Sequence, residues 1–267
     1  MSTVIAVVNQ KGGVAKTTTV ANLAAALAAR GRRVLAVDCD PQASLTFCLG
    51  RDERALERER RTLYHALLGE QRPLAEIVVP AADGPGTGPD LVPAGISLAR
   101  ADVELVPEPG ASWVLKEKLA PLLGAYDLVL LDCPPTLTLL TVNALAAADG
   151  ALIPVKTDLL STLGVPQLLD TIGKVRRRIN PGLQILGILP TMFNPGYSHD
   201  AEVLAEIKES FGKSIRIFEP IRRSTGFDRA AAGGRPVVDQ SPTSPGAEAY
   251  RRLAEAVDTD GAGVDAA

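Results

Sequence analysis

The chain has 267 residues, 46% of them hydrophobic, and 28 Lys plus Arg against 31 Asp plus Glu, for a formal net charge of −3. That composition supports a buried core and excludes both a disordered charged polymer and a globally basic nucleic-acid coat. A local basic patch stays open, because charge acts within about 8–10 Å at physiological salt.

In chain order, residues 3–8 read as a buried strand and 17–29 as an Ala/Leu-rich helix stopped by Gly31. Further strands are expected at 33–37, 128–131, 151–155 and 183–189, with helices at about 112–123, 137–147, 160–178, 199–210 and 244–257. Strands that are apolar throughout and alternate with helices predict an α/β domain: a twisted, mostly parallel sheet covered by helices on both faces. Residues 51–61 hold five Arg and four acids and read as a solvated helix face or loop. Residues 81–90 form a Gly/Pro loop. With neither linker nor repeat, one domain is expected over 1–258, followed by a flexible acidic tail at 259–267.

Cys39, Cys48 and Cys133 sit in no paired spacing, so neither a disulfide nor a zinc framework is expected. The opening MSTVIAVVNQKGG has no basic region ahead of its short apolar run and does not read as a signal peptide. No stretch approaches the roughly 20 apolar residues of a membrane span. The expectation is a soluble protein of a reducing compartment.

The sharpest motif is Gln10-Lys11-Gly12-Gly13-Val14-Ala15-Lys16-Thr17-Thr18, between a strand and a helix. Successive backbone N–H groups at a helix N-terminus form an anion cradle. Gly12 and Gly13 permit the turn and a close approach, Lys16 reaches the β- and γ-phosphates, and the Thr17 hydroxyl ligates Mg²⁺. Lys11 through Thr18 are therefore the candidate nucleotide cradle. The strict phosphate-loop pattern is not met, since Gln10 and Ala15 stand where it has glycines; what fits is KGGxxK[ST]. Lys11 lies too early to grip its own γ-phosphate and is better placed to reach a partner's nucleotide across a dimer. Ala15 is expected to need a helix-like backbone.

Two predicted strands end in acids: Asp38 and Asp40 in VDCDPQ, and Asp132 in LLDCPP. In a parallel sheet these ends share the edge where ligands bind. Asp132 is the candidate Mg²⁺ ligand through water, Asp38 a further support for metal or loop, and Asp40 the candidate to orient the attacking water. A strand-end Asp taken alone is as readily a turn or cap. Cys39 and Cys133 read as small buried neighbours.

These motifs resemble the deviant Walker A, A′ (switch I) and Walker B/switch II motifs of the ParA/Soj partition ATPases, in the MinD/ParA superfamily of P-loop NTPases; SPTSPGAEAYRRLAEAV also resembles that family's end. The resemblance runs from residue 3 to about 257. It implies ATP and Mg²⁺ as cofactors, a homodimer sandwiched on ATP, DNA binding without sequence preference, and slow hydrolysis stimulated by a ParB-type partner, in the cytoplasm on the nucleoid. Carried over by position, Lys11 acts across the dimer, Lys16 grips phosphate, Thr17 holds Mg²⁺ and Asp40 serves hydrolysis, so Lys11, Lys16 and Asp40 are the catalytic candidates. Asn194, Pro220, Arg222 and Ser224 are candidates for the base, although FEPIRRS departs from the family's usual IPRN.

Seven basic residues and three acids lie between Lys208 and Arg235. Lys213, Arg222, Arg223, Arg229 and Arg235 are the DNA-binding candidates. A second cluster, Lys174 and Arg176 to Arg178, has a plain explanation as a helix C-terminus. Three other readings compete. A MinD-like membrane-positioning ATPase would need a basic amphipathic helix at the end, where this chain has VDTDGAGVDAA. An iron–sulfur reductase of the NifH type would need two well-placed cysteines. The last is a non-hydrolysing scaffold.

Overall fold

The computed structural model describes residues 2–68, 72–81 and 87–261. Six strands form one parallel sheet: β1 (Thr3–Val7), β2 (Val34–Asp38), β3 (Asp90–Val92), β4 (Leu128–Asp132), β5 (Gly150–Lys156) and β6 (Gln184–Thr191). Their order across the sheet is β3-β2-β4-β1-β5-β6. The longer helices are α1 (Lys16–Ala29), α2 (Leu139–Ala147), α3 (Val165–Arg178), α4 (Ser198–Phe211), α5 (Thr225–Ala232) and α6 (Pro245–Gly261).

The continuous apolar runs are explained by burial on both faces. Val4, Ala6 and Val8 join one core with Leu35, Val37, Val129 and Leu131, while Ile5 and Val7 join the other with Val34, Ala36, Leu128 and Leu130. Side chains alternate between faces with a period of two, so a strand covered on both sides has no polar position to show. α2, α3 and α4 cover the first face, and α1 and α6 the second. Each fully buried Leu or Ile contributes roughly 1.5–3 kcal/mol.

Three expectations shift. β3 was not anticipated, because it is three residues long and follows a Gly/Pro stretch of which 82–86 lie outside the described residues. The helix expected at 160–178 is two pieces, Leu159–Thr162 and α3, with Pro166 in the first turn of the second. The expected tail begins inside α6, and 262–267 lie outside the described residues. Within 51–61 a short helix, Glu53–Arg58, is capped by Asp52 and buries only Leu56.

Candidate functional site

The C-terminal ends of β1, β2 and β4 meet at one edge. Asp38 and Asp132 are register partners on neighbouring strands, and Val7 pairs with Asp132 on the other side. The loop after β1 therefore rises beside both carboxylates. Lys11 N–H donates to Asn9 Oδ1 at 3.0 Å, Thr191 Oγ1 donates to the Val14 carbonyl at 3.1 Å, and Val14 itself is buried. These contacts hold the loop from below while Gly12 and Gly13 stay exposed.

Gly13 has φ +69, and a Cβ on either glycine would meet nothing within 4 Å, so the space above the loop is open to an anion. Ala15 caps α1 with φ 66 and ψ 32. This corrects the expectation of a helix-like backbone: the residue is left-handed, which costs an L-residue roughly 1–2 kcal/mol. Ala15→Gly is expected to leave stability unchanged or raise it by up to about 1 kcal/mol, as relief of strain is offset by Gly's chain entropy. A denaturant midpoint checks this, and a clear loss of stability would contradict it.

Lys16 is buried and its ammonium donates to the Lys11 carbonyl at 3.1 Å. Burial lowers its pKa, partly offset by Asp132, Cys133 and Asp40. Of five buried side-chain polar atoms without a partner among the described residues, four belong to Gln10, Asp132 (both carboxylate oxygens) and Thr138. All three residues follow or end strands at this edge or cap α2 there. Unmet buried polar groups are costly and mark a place where a ligand or ion supplies the missing partner.

Asp38 is different. Its Oδ2 accepts from the Thr46 amide and hydroxyl, each at 2.8 Å, and its Oδ1 from the Asp40 amide at 3.2 Å. It is fully engaged in holding the loop after β2, so of the two supports considered for it, loop rather than metal fits this geometry. Asp40 is half-buried, and its Oδ1 accepts from the Gln42 amide at 2.9 Å. Thr17 and Asp132 suit a Mg²⁺ ion held mainly by a nucleotide's phosphates. Among the described residues no group of three His, Cys, Asp or Glu could hold a metal alone.

Burial pushes the Asp38 carboxyl up to about 7, offset in part by its hydrogen bonds, and pushes Asp132 well above the carboxylate range, with Asp38 adding to the rise. A raised folded pKa means that the folded state binds more protons between about pH 4 and about pH 7. Stability then falls as pH rises through that window. The nucleotide-free protein is expected to melt higher at about pH 6 than at about pH 8. A midpoint that is flat or rises with pH would argue against the desolvated pair. Cys39 and Cys133 are buried, and burial pushes both thiols up.

Lys11 does not point into open solvent. Its ammonium pairs with Asp158 at 3.1 Å and with Ser161 Oγ at 3.0 Å, and Lys156 shares Asp158 at 2.9 Å. Residue by residue, nothing in the sequence flags this tether, because the partners lie about 150 positions away.

A cavity of about 220 Å³ beside α1 is lined by Ala15, Thr18, Met192, Arg222, Arg223 and Ser224, with Phe227 and Tyr250 behind them. Its wall forms because the 221–223 stretch pairs with Phe193 just past β6. Arg222 and Ser224 thus line this cavity together with the start of α1. Asn194 and Pro220 do not line it: Asn194 Oδ1 accepts from the Gly196 amide and its own amide donates to Asp200, shaping the turn into α4. Met192, with φ 55, and Tyr250, which meets Thr19 at 3.2 Å, were not anticipated.

The basic candidates divide. Arg222, Arg223 and Arg229 are exposed around the start of α5. Arg235 lies past α5 beside Leu49 and Gly234. Lys213 follows α4, four residues before Ile217 pairs with mid-β6, which places it toward the opposite edge of the sheet from Arg222.

Comparison with known proteins places the chain, not the edge itself, in a nucleotide-binding class. The AAA domain family matches residues 2–185. The chromosome-partitioning ATPase Soj of Thermus thermophilus is 45% identical over 95% of this chain and 94% of its own. The chain belongs to the ParA/Soj family of partition ATPases. A Mycobacterium smegmatis structure described as cobyrinic acid a,c-diamide synthase, with bound ADP and magnesium, superimposes on this ParA/Soj chain with a TM-score of 0.82 at 40% identity, covering 96% of this chain and 94% of that one. The cell division ATPase MinD of Pyrococcus furiosus gives 0.78 at 26%, covering 97% and 99%. No helix among the described residues of this ParA/Soj member is long and apolar enough to cross a membrane.

Proposed function

We propose that this chain is an ATP-dependent DNA partition protein: Mg²⁺-ATP binds over the loop Lys11–Thr18, two copies sandwich their nucleotides, the dimer binds DNA without sequence preference, and a ParB-type partner stimulates slow hydrolysis. The observation that carries it is the fully buried Asp132 carboxylate, faced by Thr17 and Lys16 and with neither oxygen closed off by a loop amide, beside an open glycine cradle. In that reading Lys16 and the loop amides hold the β- and γ-phosphates, and Thr17 holds the metal, with Asp132 taking its water. Bound Mg²⁺ draws charge from the phosphoryl oxygens. Asp40 orients the attacking water, and the base occupies the slot at Arg222 and Ser224. Lys11 must then exchange Asp158 for the partner's phosphate. Its ion pair is over a third exposed on the lysine side and a quarter on the acid side, a class worth about 1 kcal/mol or less. A phosphate can displace it.

Size-exclusion chromatography with ATP, ADP or no nucleotide, with and without nonspecific duplex DNA, tests the whole scheme. Dimers that form with ATP and co-elute with DNA support it; a monomer under all conditions overturns it. Arg223→Ala is expected to keep ATPase activity and to weaken DNA binding, whose affinity falls steeply with salt in the parent. Loss of both activities together would assign Arg223 to the nucleotide instead.

The relatives raise two second readings. A MinD-like ATPase would pellet with anionic liposomes in ATP. A synthase, as the Mycobacterium smegmatis protein is described, that spent ATP on its product would release phosphate only with an added acceptor acid, so phosphate release from ATP and water alone excludes it.

A further inference from the structure

We infer that Thr46 is the positioning residue that sets Asp40 for hydrolysis, by tying the loop after β2 to the end of β3 through the Asp38 carboxylate. This rests on the proposed role of Asp40 and adds a residue that touches neither nucleotide nor water.

Thr46 lies in the short helix Ser44–Cys48 and is fully buried, as is Asp38. The direction of each hydrogen bond follows from chemistry. The Ala94 amide has only a proton to give, and it gives it to Thr46 Oγ1 at 3.0 Å. The hydroxyl proton is then free for Asp38 Oδ2, at 2.8 Å, where the Thr46 amide also donates at 2.8 Å. A threonine hydroxyl has one proton, so this one donates once and accepts once in a single fixed rotamer. The other carboxylate oxygen of Asp38 receives the Asp40 amide at 3.2 Å. Beyond it, the Asp40 carbonyl accepts from Ala43 N–H at 2.9 Å, and Asp40 Oδ1 accepts from Gln42 N–H at 2.9 Å. Ala43 closes the turn with φ 53.

The result is a continuous chain of donors and acceptors from the end of β3 to the Asp40 side chain. One Asp40 oxygen is taken inside the loop and the other lies outside this set. A carboxylate that must orient water needs its position fixed to a fraction of an ångström, and a displacement of about 1 Å can lower a rate on the order of a hundredfold. Without the Thr46 hydroxyl, Ala94 N–H loses its acceptor and Asp38 loses one of three donors, while Lys16, Thr17 and the glycine cradle are untouched.

Thr46→Val keeps the shape and removes the hydroxyl; Thr46→Ser keeps the hydroxyl. ATP turnover and KM are to be measured for both, together with hydrogen exchange of the Asp40, Gln42 and Ala43 amides, the three within 40–43 because Pro41 has none, in nucleotide-free protein. The expected result for Thr46→Val is a kcat at least about tenfold lower with KM within about twofold, a loss confined to the reacting complex. Exchange at 40–43 accelerates about tenfold or more while β2 and β4 stay protected. Thr46→Ser restores both. A Thr46→Val protein with unchanged kcat and unchanged exchange overturns the inference. So does one whose kcat, nucleotide affinity and β2 and β4 protection all fall together, because the residue is then only structural. If the parent hydrolyses no ATP, the proposed function fails, and the exchange comparison still decides whether Thr46 holds the loop. Should Thr46→Val not fold, Thr46→Cys, which keeps the size with a weak donor, gives intermediate exchange at 40–43 if the inference holds and parental exchange if it does not.

Discussion

Lys16→Ala is expected to weaken ATP binding by at least about a hundredfold while leaving the melting temperature unchanged or slightly raised. The two halves of that result have one cause. In the nucleotide-free fold the ammonium is desolvated and, among the described residues, its hydrogen-bond partner is the Lys11 carbonyl. Burial dominates its environment and lowers its pKa, so the fold carries this cation at a loss. Removing it takes away that loss, and the neighbouring Asp132, whose carboxyl is pushed well up, can stay protonated without it. With a nucleotide present, the same desolvation strengthens the attraction to phosphate, which is where the binding energy comes from. Titration with a fluorescent ATP analogue and a thermal melt measure the two effects. An unchanged affinity, or a large loss of stability with the affinity retained, would remove Lys16 from its role.

Asp40→Ala is expected to lower turnover by roughly 10²–10⁴-fold and to leave the ATP dissociation constant within about threefold. Asp40 sits on the loop after β2 and not in the cradle, and the backbone amides proposed to hold phosphate belong to residues 11–18. Its loss should therefore let ATP bind and persist, so that ATP dimers accumulate in single-turnover chromatography. Comparable losses in affinity and turnover would mean that Asp40 supports the binding fold. Turnover at the parental rate would leave the activation of water to another group.

How much of this was legible in the sequence varies with the range of the physics involved. The cradle was legible because a phosphate loop is local: nine consecutive residues, a strand before and a helix after, with two glycines and two threonines at fixed offsets. The strand-end acids were legible as a pair because a parallel sheet gathers all strand C-termini on one edge, and Asp38 and Asp132 are register partners there. β3 was not, since three residues between a Gly/Pro stretch and Pro93 carry no periodicity. The cavity beside α1, the candidate base slot, was half legible. Arg222 and Ser224 line it, but Asn194 is spent on its own turn, and Met192 and Tyr250 arrive from just past β6 and from α6.

Local chemistry in the sequence was therefore enough to determine the sheet class and the family motifs, and to single out a candidate phosphate cradle and the edge on which it lies. The tertiary structure alone decided the pairings that cross the chain. Lys11 is tethered to Asp158 and Ser161, which no spacing rule connects to it. Asp38 is absorbed by Thr46 and the Asp40 amide, while Asp132, its mirror on the next strand, is left bare. The two acids read alike in sequence and differ in structure: Thr46, in the short helix after β2, turns its amide and hydroxyl onto Asp38, whereas among the described residues no loop amide after β4 is hydrogen-bonded to the Asp132 carboxylate. Ala15, a conservative-looking change in a glycine loop, is held left-handed by the loop that surrounds it. A one-dimensional pattern records which groups can donate, accept or carry charge, and only the packed chain settles which of them are already satisfied.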